Sequence, residues 1–348
     1  MRIGVIYQVN GLGTGAAEQL LGVRLAAGHT REASHAAPKL ELVERPFVDD
    51  AQLLQRLDEL LGNADCDALL GILPVPLSVQ AAASCEARGV LYATGNNNPR
   101  VGEGRRNVFH IGVPSEITAD GMMAYLRGER GVQRLAVLHT PGEFQVHAAR
   151  CIADAATELG VLSALVDIGL TADADVNVAR AIEAHQADAV CVMGSEVDRL
   201  IDLAPALNRL AGRPRVLLSR GMVCREFAER CAAAGEGYDF IDLFLRSTDA
   251  SSEELALMNR LASTDGGLIT TASHGFGWDC LRLLAAALAN GSDLGDQIAY
   301  LESAGPIVGA TGVLRFSSTD HNGHWHDDPT TIVRLTDGRF TPVSRLAR

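Results

Sequence analysis

At 348 residues, with 47% hydrophobic residues, the chain has length for about two domains of ordinary size and enough apolar mass for a core in each. No apolar run approaches the roughly 18 residues of a membrane-spanning helix, and the net charge of −13, with Lys39 the only lysine, leaves no basic cluster to follow a phosphate backbone. Integral membrane proteins and nucleic-acid binders are therefore excluded as expectations.

Short β-rich runs alternate with longer segments of helical period, the pattern of an α/β fold with parallel sheets and crossover helices. In chain order, strands are predicted near 2–8, 39–44, 67–73, 89–93 and 107–110, with helices near 15–27, 49–62, 77–88 and 115–129. The alternation then restarts, with strands near 134–139, 162–167, 188–193, 214–218 and 238–242 and helices near 143–159, 175–185, 196–211 and 222–234. Three helices follow, near 251–263, 274–290 and 294–303, and then strand-like pieces near 311–316, 330–336 and 339–343. No repeat of 20–50 residues and no low-complexity linker is visible, so the boundary near Gly112 to Ser115 is a short hinge.

The N-terminus leads from Met1-Arg2 directly into Ile3-Gly4-Val5-Ile6, without the apolar stretch and small-residue cleavage site of an export signal. A cytosolic protein and a mature exported one both fit. Cys66, Cys85, Cys151, Cys191, Cys224, Cys231 and Cys280 form no C-x-x-C pair and fall mostly inside predicted elements, as small core residues do. Cys224 and Cys231, seven apart on one predicted helix, read as core.

In doubly wound sheets ligands bind outside the carboxyl ends of strands, so the residues just after strands are the candidates. Asn10-Gly11-Leu12-Gly13-Thr14-Gly15-Ala16 matches G-x-G-x-x-A, a turn that can hold a pyrophosphate. An NAD-dependent oxidoreductase also needs an acidic residue about 20 positions on, whereas Glu41 and Glu44 lie further away. A plain tight turn is the stronger reading. Asp320-His321-Asn322-Gly323-His324-Trp325-His326-Asp327-Asp328 could supply zinc ligands through His321, His324 and His326, although Asn-Gly is also a surface-turn signal and a solvated loop is preferred. There is no G-x-S-x-G nucleophile turn. Ser273 and His274 are adjacent and do not face each other on a helix, so the pair reads as a helix start and no catalytic group stands out. Polar residues do follow the strands of the first half: Gln8 and Asn10 after the first, and Thr94-Gly95-Asn96-Asn97-Asn98-Pro99 after the fourth. They suit either a turn or hydrogen bonding to a small polar ligand.

The whole chain resembles the type I periplasmic solute-binding proteins, in particular the branched-chain amino-acid (leucine/isoleucine/valine) binding family of ABC importers and its cytosolic amide-sensor relatives. The residues that carry the resemblance include Ile3-Gly4-Val5-Ile6, Ala68-Leu69-Leu70-Gly71, Glu86-Ala87-Arg88-Gly89-Val90-Leu91, Asn107-Val108-Phe109-His110-Ile111-Gly112, Phe276-Gly277-Trp278-Asp279 and Thr311-Gly312-Val313-Leu314-Arg315-Phe316. It implies two doubly wound lobes, 1–113 with 247–320 and 114–246 with 321–348, joined by three hinge crossings and closing on a small solute. The partner it implies is the membrane permease of an importer or, for a sensor, a signalling partner, with no cofactor. Its implied ligand site is Gln8, Asn10, Gly11, Val75, Thr94, Asn96 and Asn97 from the first lobe, facing Phe144, Ser195, Glu196 and Arg220 from the second. Amino-acid binders of this family tend to have a small hydroxyl residue near the place of Val75 and an acidic residue near the place of Arg220. Both departures favour a carboxylate or amide ligand over a zwitterionic amino acid.

Overall fold

The computed structural model describes all residues except 10–13, 34–38, 63–65, 130, 172–174, 195, 232, 245–249, 265–268, 325–328 and 346–348. The chain divides into two units, Met1–Pro114 with Ser251–Asp327 and Ser115–Ala250 with Asp328–Arg348, and so passes from one to the other three times. Its first segment runs β1 (Arg2–Gln8), α1 (Thr14–Ala33), β2 (Glu41–Phe47), α2 (Asp50–Gly62), β3 (Ala68–Ile72), α3 (Val75–Arg88), β4 (Leu91–Thr94) and β5 (Val108–His110). The second runs α4 (Ser115–Ala124), β6 (Arg134–His139), α5 (Glu143–Glu158), β7 (Leu162–Asp167), α6 (Asp175–His185), β8 (Ala189–Met193), α7 (Val197–Asn208), β9 (Arg215–Leu218), α8 (Arg225–Arg230) and β10 (Asp239–Asp242). The third holds α9 (Ser252–Thr264), α10 (Ala272–Asn290), α11 (Leu294–Ser303), β11 (Ile307–Gly309) and β12 (Gly312–Leu314), and the last β13 (Thr331–Thr336) and β14 (Arg339–Arg345).

In the first unit the sheet order is β2-β1-β3-β4-β5, parallel throughout. The central strand β3 is buried at every position, as a strand covered by helices on both faces must be. Leu53, Leu57, Leu60 and Leu61 form the buried stripe of α2, at the i, i+4, i+7 and i+8 spacing that places apolar side chains on one helix face. The α1/α10 pair approaches closely because Gly277 has no Cβ: one built there would sit 1.9 Å from the Gln19 carbonyl oxygen. At its start α10 is capped by Thr271, whose Oγ1 accepts from the His274 N–H while the His274 ring accepts from the Thr271 N–H. This is a capping box with histidine in the role usually taken by glutamate. The N-cap is therefore Thr271 and the helix begins at Ala272, ahead of Ser273.

The second unit repeats the order. Its seven-stranded sheet runs β14-β13-β10-β9-β8-β6-β7, and within it β7-β6-β8-β9-β10 is parallel, the counterpart of the first sheet strand for strand. Antiparallel β13 and β14 extend its edge beyond β10. Ala148, Ala149 and Ile152 of α5 pack into one core cluster with Ala119, Met122 and Met123 of α4. The α4 helix continues into a wide π turn over Tyr125–Glu129.

Three expectations change. The predicted helix over 222–234 is reduced to α8, with Cys224 and Cys231 flanking it at the caps, both buried. Cys224 is extended there (φ −139°, ψ 158°) and cannot belong to a helix. The strand predicted over 311–316 is the second arm of a hairpin, β11 with β12. Residues 321–324, expected in the second lobe, lie with the first unit, because Asn322 forms a bridge with His110 and the His110 N–H donates to the His321 carbonyl at 3.0 Å.

Candidate functional site

In a sheet of order 2-1-3-4-5 the chain reverses direction between the first and third strands, and the carboxyl ends there form a natural binding edge. Gln8 ends β1 half-buried, its Nε2 pointing at the Val48 carbonyl at 3.5 Å. Asn10 and Gly11 lie outside the described residues. Val75 opens α3 immediately after Pro74, half-buried and without a hydroxyl to offer a ligand.

The turn after β4 is held by its own side chains. Thr94 is buried, donating from Oγ1 to the Gly71 carbonyl at 2.9 Å and accepting from the Asn96 N–H at 3.3 Å. Asn96 donates from Nδ2 to the Leu73 carbonyl at 3.4 Å and accepts at Oδ1 from the Asn98 N–H at 3.1 Å. Asn97 donates to the Val113 carbonyl at 3.1 Å, and Asn98 accepts from the Arg100 N–H at 3.0 Å, the short-side-chain turn chemistry of asparagine. Gly112 allows this turn to pack against β5's exit, since a Cβ there would be 2.5 Å from the Asn97 nitrogen. The three asparagines thus hold the turn in shape. Whatever they offer a ligand comes from a framework already fixed.

The second unit places its polar residues at the equivalent edge. Thr140, directly after β6, is buried and donates from Oγ1 to Glu196 Oε2 at 2.8 Å. Glu196 is the N-cap residue of α7, but its side chain makes no capping bond. Ser219, after β9, donates to the Gly194 carbonyl at 2.8 Å. Next to it, Arg220 opens a single 3-10 turn and donates from Nη2 to Thr118 Oγ1 of α4 at 2.7 Å. Thr118 is 4% exposed, so the guanidinium is tethered to a fixed, buried partner. Phe144, in the first turn of α5, leaves 47% of its surface exposed. Ser195 lies outside the described residues.

Within the second unit the structure therefore joins Glu196 to Thr140 and Arg220 to Thr118. Sequence reasoning missed both threonines. Thr140 carried a signal, as a hydroxyl in the first position after a strand. Thr118 carried none, being one polar residue in a helix 102 positions from Arg220.

The histidine-rich segment is not the solvated loop expected. His324 is fully buried, its Nε2 3.1 Å from Thr311 Oγ1, while His321 pairs through Nδ1 with the Val108 carbonyl and through Nε2 with Glu302. These two rings serve separate partners and do not converge as zinc ligands must. His326 lies outside the described residues, as do Gly11 and Gly13 of the glycine-rich turn.

The family model described as periplasmic binding protein matches residues 1–339. The chain belongs to that family. Solved structures with the same fold include a leucine-binding protein, LivK, from Thermotoga maritima, at 15% identity with a TM-score of 0.80, covering 99% of this chain and 98% of that one. Another is an ABC transporter substrate-binding protein from Desulfitobacterium hafniense in complex with leucine, at 20% identity and TM-score 0.77, covering 99% of each chain. A third is the branched-chain amino-acid transporter substrate-binding protein LivJ from Streptococcus pneumoniae in complex with isoleucine, at 16% identity and TM-score 0.78, covering 98% of this chain and 97% of that one. A comparison with curated proteins found no match. The two-lobed, parallel-sheet architecture is that of type I periplasmic binding proteins, and the family is one of solute receptors rather than enzymes.

Proposed function

We propose that the protein is the solute-binding component of an ABC importer, working with a membrane permease outside the cytoplasm, and that its ligand carries a carboxylate or amide head in place of the zwitterionic head of an amino acid. One observation carries the head-group assignment: Arg220 stands at the carboxyl end of β9, tethered to buried Thr118. Amino-acid binders resembling this chain tend to carry an acidic partner for the ligand ammonium near that place. A tethered guanidinium offers planar, bidentate donors to a carboxylate or amide oxygen and repels an ammonium. Its tether also reduces the entropy lost on binding. Val75 points the same way, because a side chain without a hydroxyl removes a hydrogen bond that a zwitterion would use. Phe144 supplies an apolar face for the ligand's body, and Gln8, Thr94, Asn96, Asn97, Glu196 and Ser195, with Asn10 and Gly11, complete the proposed set. Glu196 is the one carboxylate in this set, and its Oε2 already accepts the Thr140 hydroxyl.

The test is the thermal midpoint of the full chain against aliphatic and aromatic carboxylates, aliphatic amides, ureas, leucine, isoleucine, valine and NAD. A ligand at 100 times its Kd stabilises by about 2.7 kcal/mol, a shift of a few degrees. The expected result is a shift with a carboxylate or amide that disappears in Arg220→Met. A shift with the branched-chain amino acids alone would keep the receptor and overturn the head-group assignment. A shift with NAD alone would overturn the receptor itself.

A further inference from the structure

On the same helices as Phe144 and Thr118, α4 and α5 bring together three side chains of a different chemistry. Glu116 lies in the first turn of α4, and His147 and Cys151 lie one turn apart on α5, the i, i+4 spacing that puts two side chains on one helix face. The helices share a core through Ala119, Met122, Ala148 and Ile152, so the three groups are presented by a rigid pair. His147 Nε2 is 3.7 Å from Glu116 Oε1 and 3.7 Å from Cys151 Sγ. One donor atom from each residue falls within 4.8 Å of the other two.

We propose that Glu116, His147 and Cys151 form a zinc site that staples α4 to α5. Zinc takes sulfur at about 2.3 Å and nitrogen or oxygen at about 2.0–2.2 Å in tetrahedral geometry, which sets its ligands about 3.3–3.7 Å from one another. The two separations from His147 lie at the top of that span and all three donor atoms fall within 4.8 Å, so rotamer changes of Glu116 and Cys151 close the set. The ligand set of thiolate, imidazole and carboxylate suits a borderline-soft cation and disfavours calcium and magnesium, which want oxygen. Three protein ligands leave the fourth position to water. Glu116 and His147 are each more than half exposed, which gives the ion a path from solvent, while Cys151 is partly covered.

When the ion binds, the Cys151 S–H bond breaks, a proton leaves to solvent, and the sulfur's electron pair forms the metal bond, so each ion bound releases one proton. The thiolate and the Glu116 carboxylate then balance the divalent charge.

Cobalt(II) reports such a site directly, because a thiolate ligand gives a near-ultraviolet charge-transfer band and tetrahedral geometry gives visible bands. The reduced, chelator-treated full chain is titrated with Co²⁺ and then with Zn²⁺. The expected result is one ion per chain with a thiolate band, displaced by zinc. Cys151→Ser should abolish the band, and His147→Ala and Glu116→Gln should each weaken binding at least about tenfold. The absence of a thiolate band at stoichiometric metal would overturn the site, and so would a band that survives Cys151→Ser. A zinc-induced rise in thermal midpoint that is unchanged in the His147→Ala/Cys151→Ser double variant would place the metal elsewhere and overturn it equally. All three side chains are at least partly exposed, so the variants retain the fold.

Discussion

The two units share a strand order but hold several of their buried ionisable groups differently. In the first unit His110, His274, His324 and Asp279 are buried, and hydroxyls and backbone hold them. Asp279 accepts from the Ala310 N–H at 2.7 Å and from the N–H and Oγ1 of Thr311 at 2.9 and 2.6 Å; His274 is held by Thr271. In the second unit two buried charges, Arg199 and Asp239, have opposite partners. Arg199 donates to Asp175 at 2.6 Å and to the Ile168 carbonyl at 2.8 Å. Asp239 takes both Nε and Nη2 of Arg334, at 2.7 and 3.1 Å, and the Tyr125 hydroxyl at 2.7 Å. Burial penalises charge, and a fold can respond by keeping the group neutral or by pairing it. One sheet topology accommodates both. The first solution makes a unit sensitive to protons, and the second makes it sensitive to the loss of a partner.

The largest effect is expected at Asp239, which is 4% exposed and serves two partners. Removing one member of a buried pair leaves the other desolvated and unpaired, at a cost of about 3–5 kcal/mol. Asp239→Ala should therefore lower the unfolding free energy in urea by that amount. Asp239→Asn, which keeps the side-chain shape and one acceptor oxygen but loses the charge and turns an NH2 donor towards Arg334 or Tyr125, should cost most of that amount as well. A loss in Asp239→Asn far below that in Asp239→Ala would show that shape matters more than charge pairing, and the contrast between the units would fail.

Acid should act on the first unit. Burial holds His110 and His274 down at about 4, against 6.5 for an exposed imidazole. Between these values the unfolded chain binds protons that the folded chain does not, so stability falls as pH drops from 6.5 to 4, by roughly 3 kcal/mol per histidine. Asp279 runs the other way. Burial raises it from 3.8 to about 6, so the folded form holds the extra proton, and acidification from 6 to 3.8 returns roughly 3 kcal/mol. Two histidines against one aspartate leave a net loss of roughly 3 kcal/mol across that window. Thermal midpoints taken from pH 7 to pH 4 should fall, and His110→Gln should flatten the profile. A midpoint that holds steady or rises towards pH 4 in the parent protein would contradict this account.

Much of the architecture was legible in the sequence because burial leaves a local record. Ala68–Ile72 and Ala189–Met193 are apolar at nearly every position since both faces of those strands are covered, and helix periodicity placed α2 and α5 to within a residue or two. The site was legible only in outline. Gln8 and Thr94 stood out as polar residues at strand ends and Arg220 only through the family resemblance, while the bonds around the proposed site join residues far apart in sequence, such as Arg220 with Thr118 and Glu196 with Thr140. A hydrogen bond across 102 positions has no spacing rule. The histidine segment misled for the same reason: Asn322-Gly323 has the local composition of an exposed turn, whereas the long-range bridge from Asn322 to His110 draws it into the first unit. Cys224 and Cys231 were right as core residues and wrong as helix interior, because hydropathy reports burial and not backbone angle.

The smallest expected effect gives the comparison a control. Arg230 serves two carboxylates, donating to Asp198 at 2.5 Å and Glu226 at 2.6 Å, and like Asp239 it has two partner residues. It sits on the surface, with 46% of its side chain exposed and Asp198 77% exposed. Water solvates each of these charges about as well as the other does, and holding long side chains in place costs entropy that offsets the attraction. Arg230→Ala should therefore leave the unfolding free energy in urea essentially unchanged. A loss comparable to that of Asp239→Ala would mean that the second unit depends on its ion pairs wherever they lie. A near-zero effect would leave desolvation as the reason that one pair matters and the other does not.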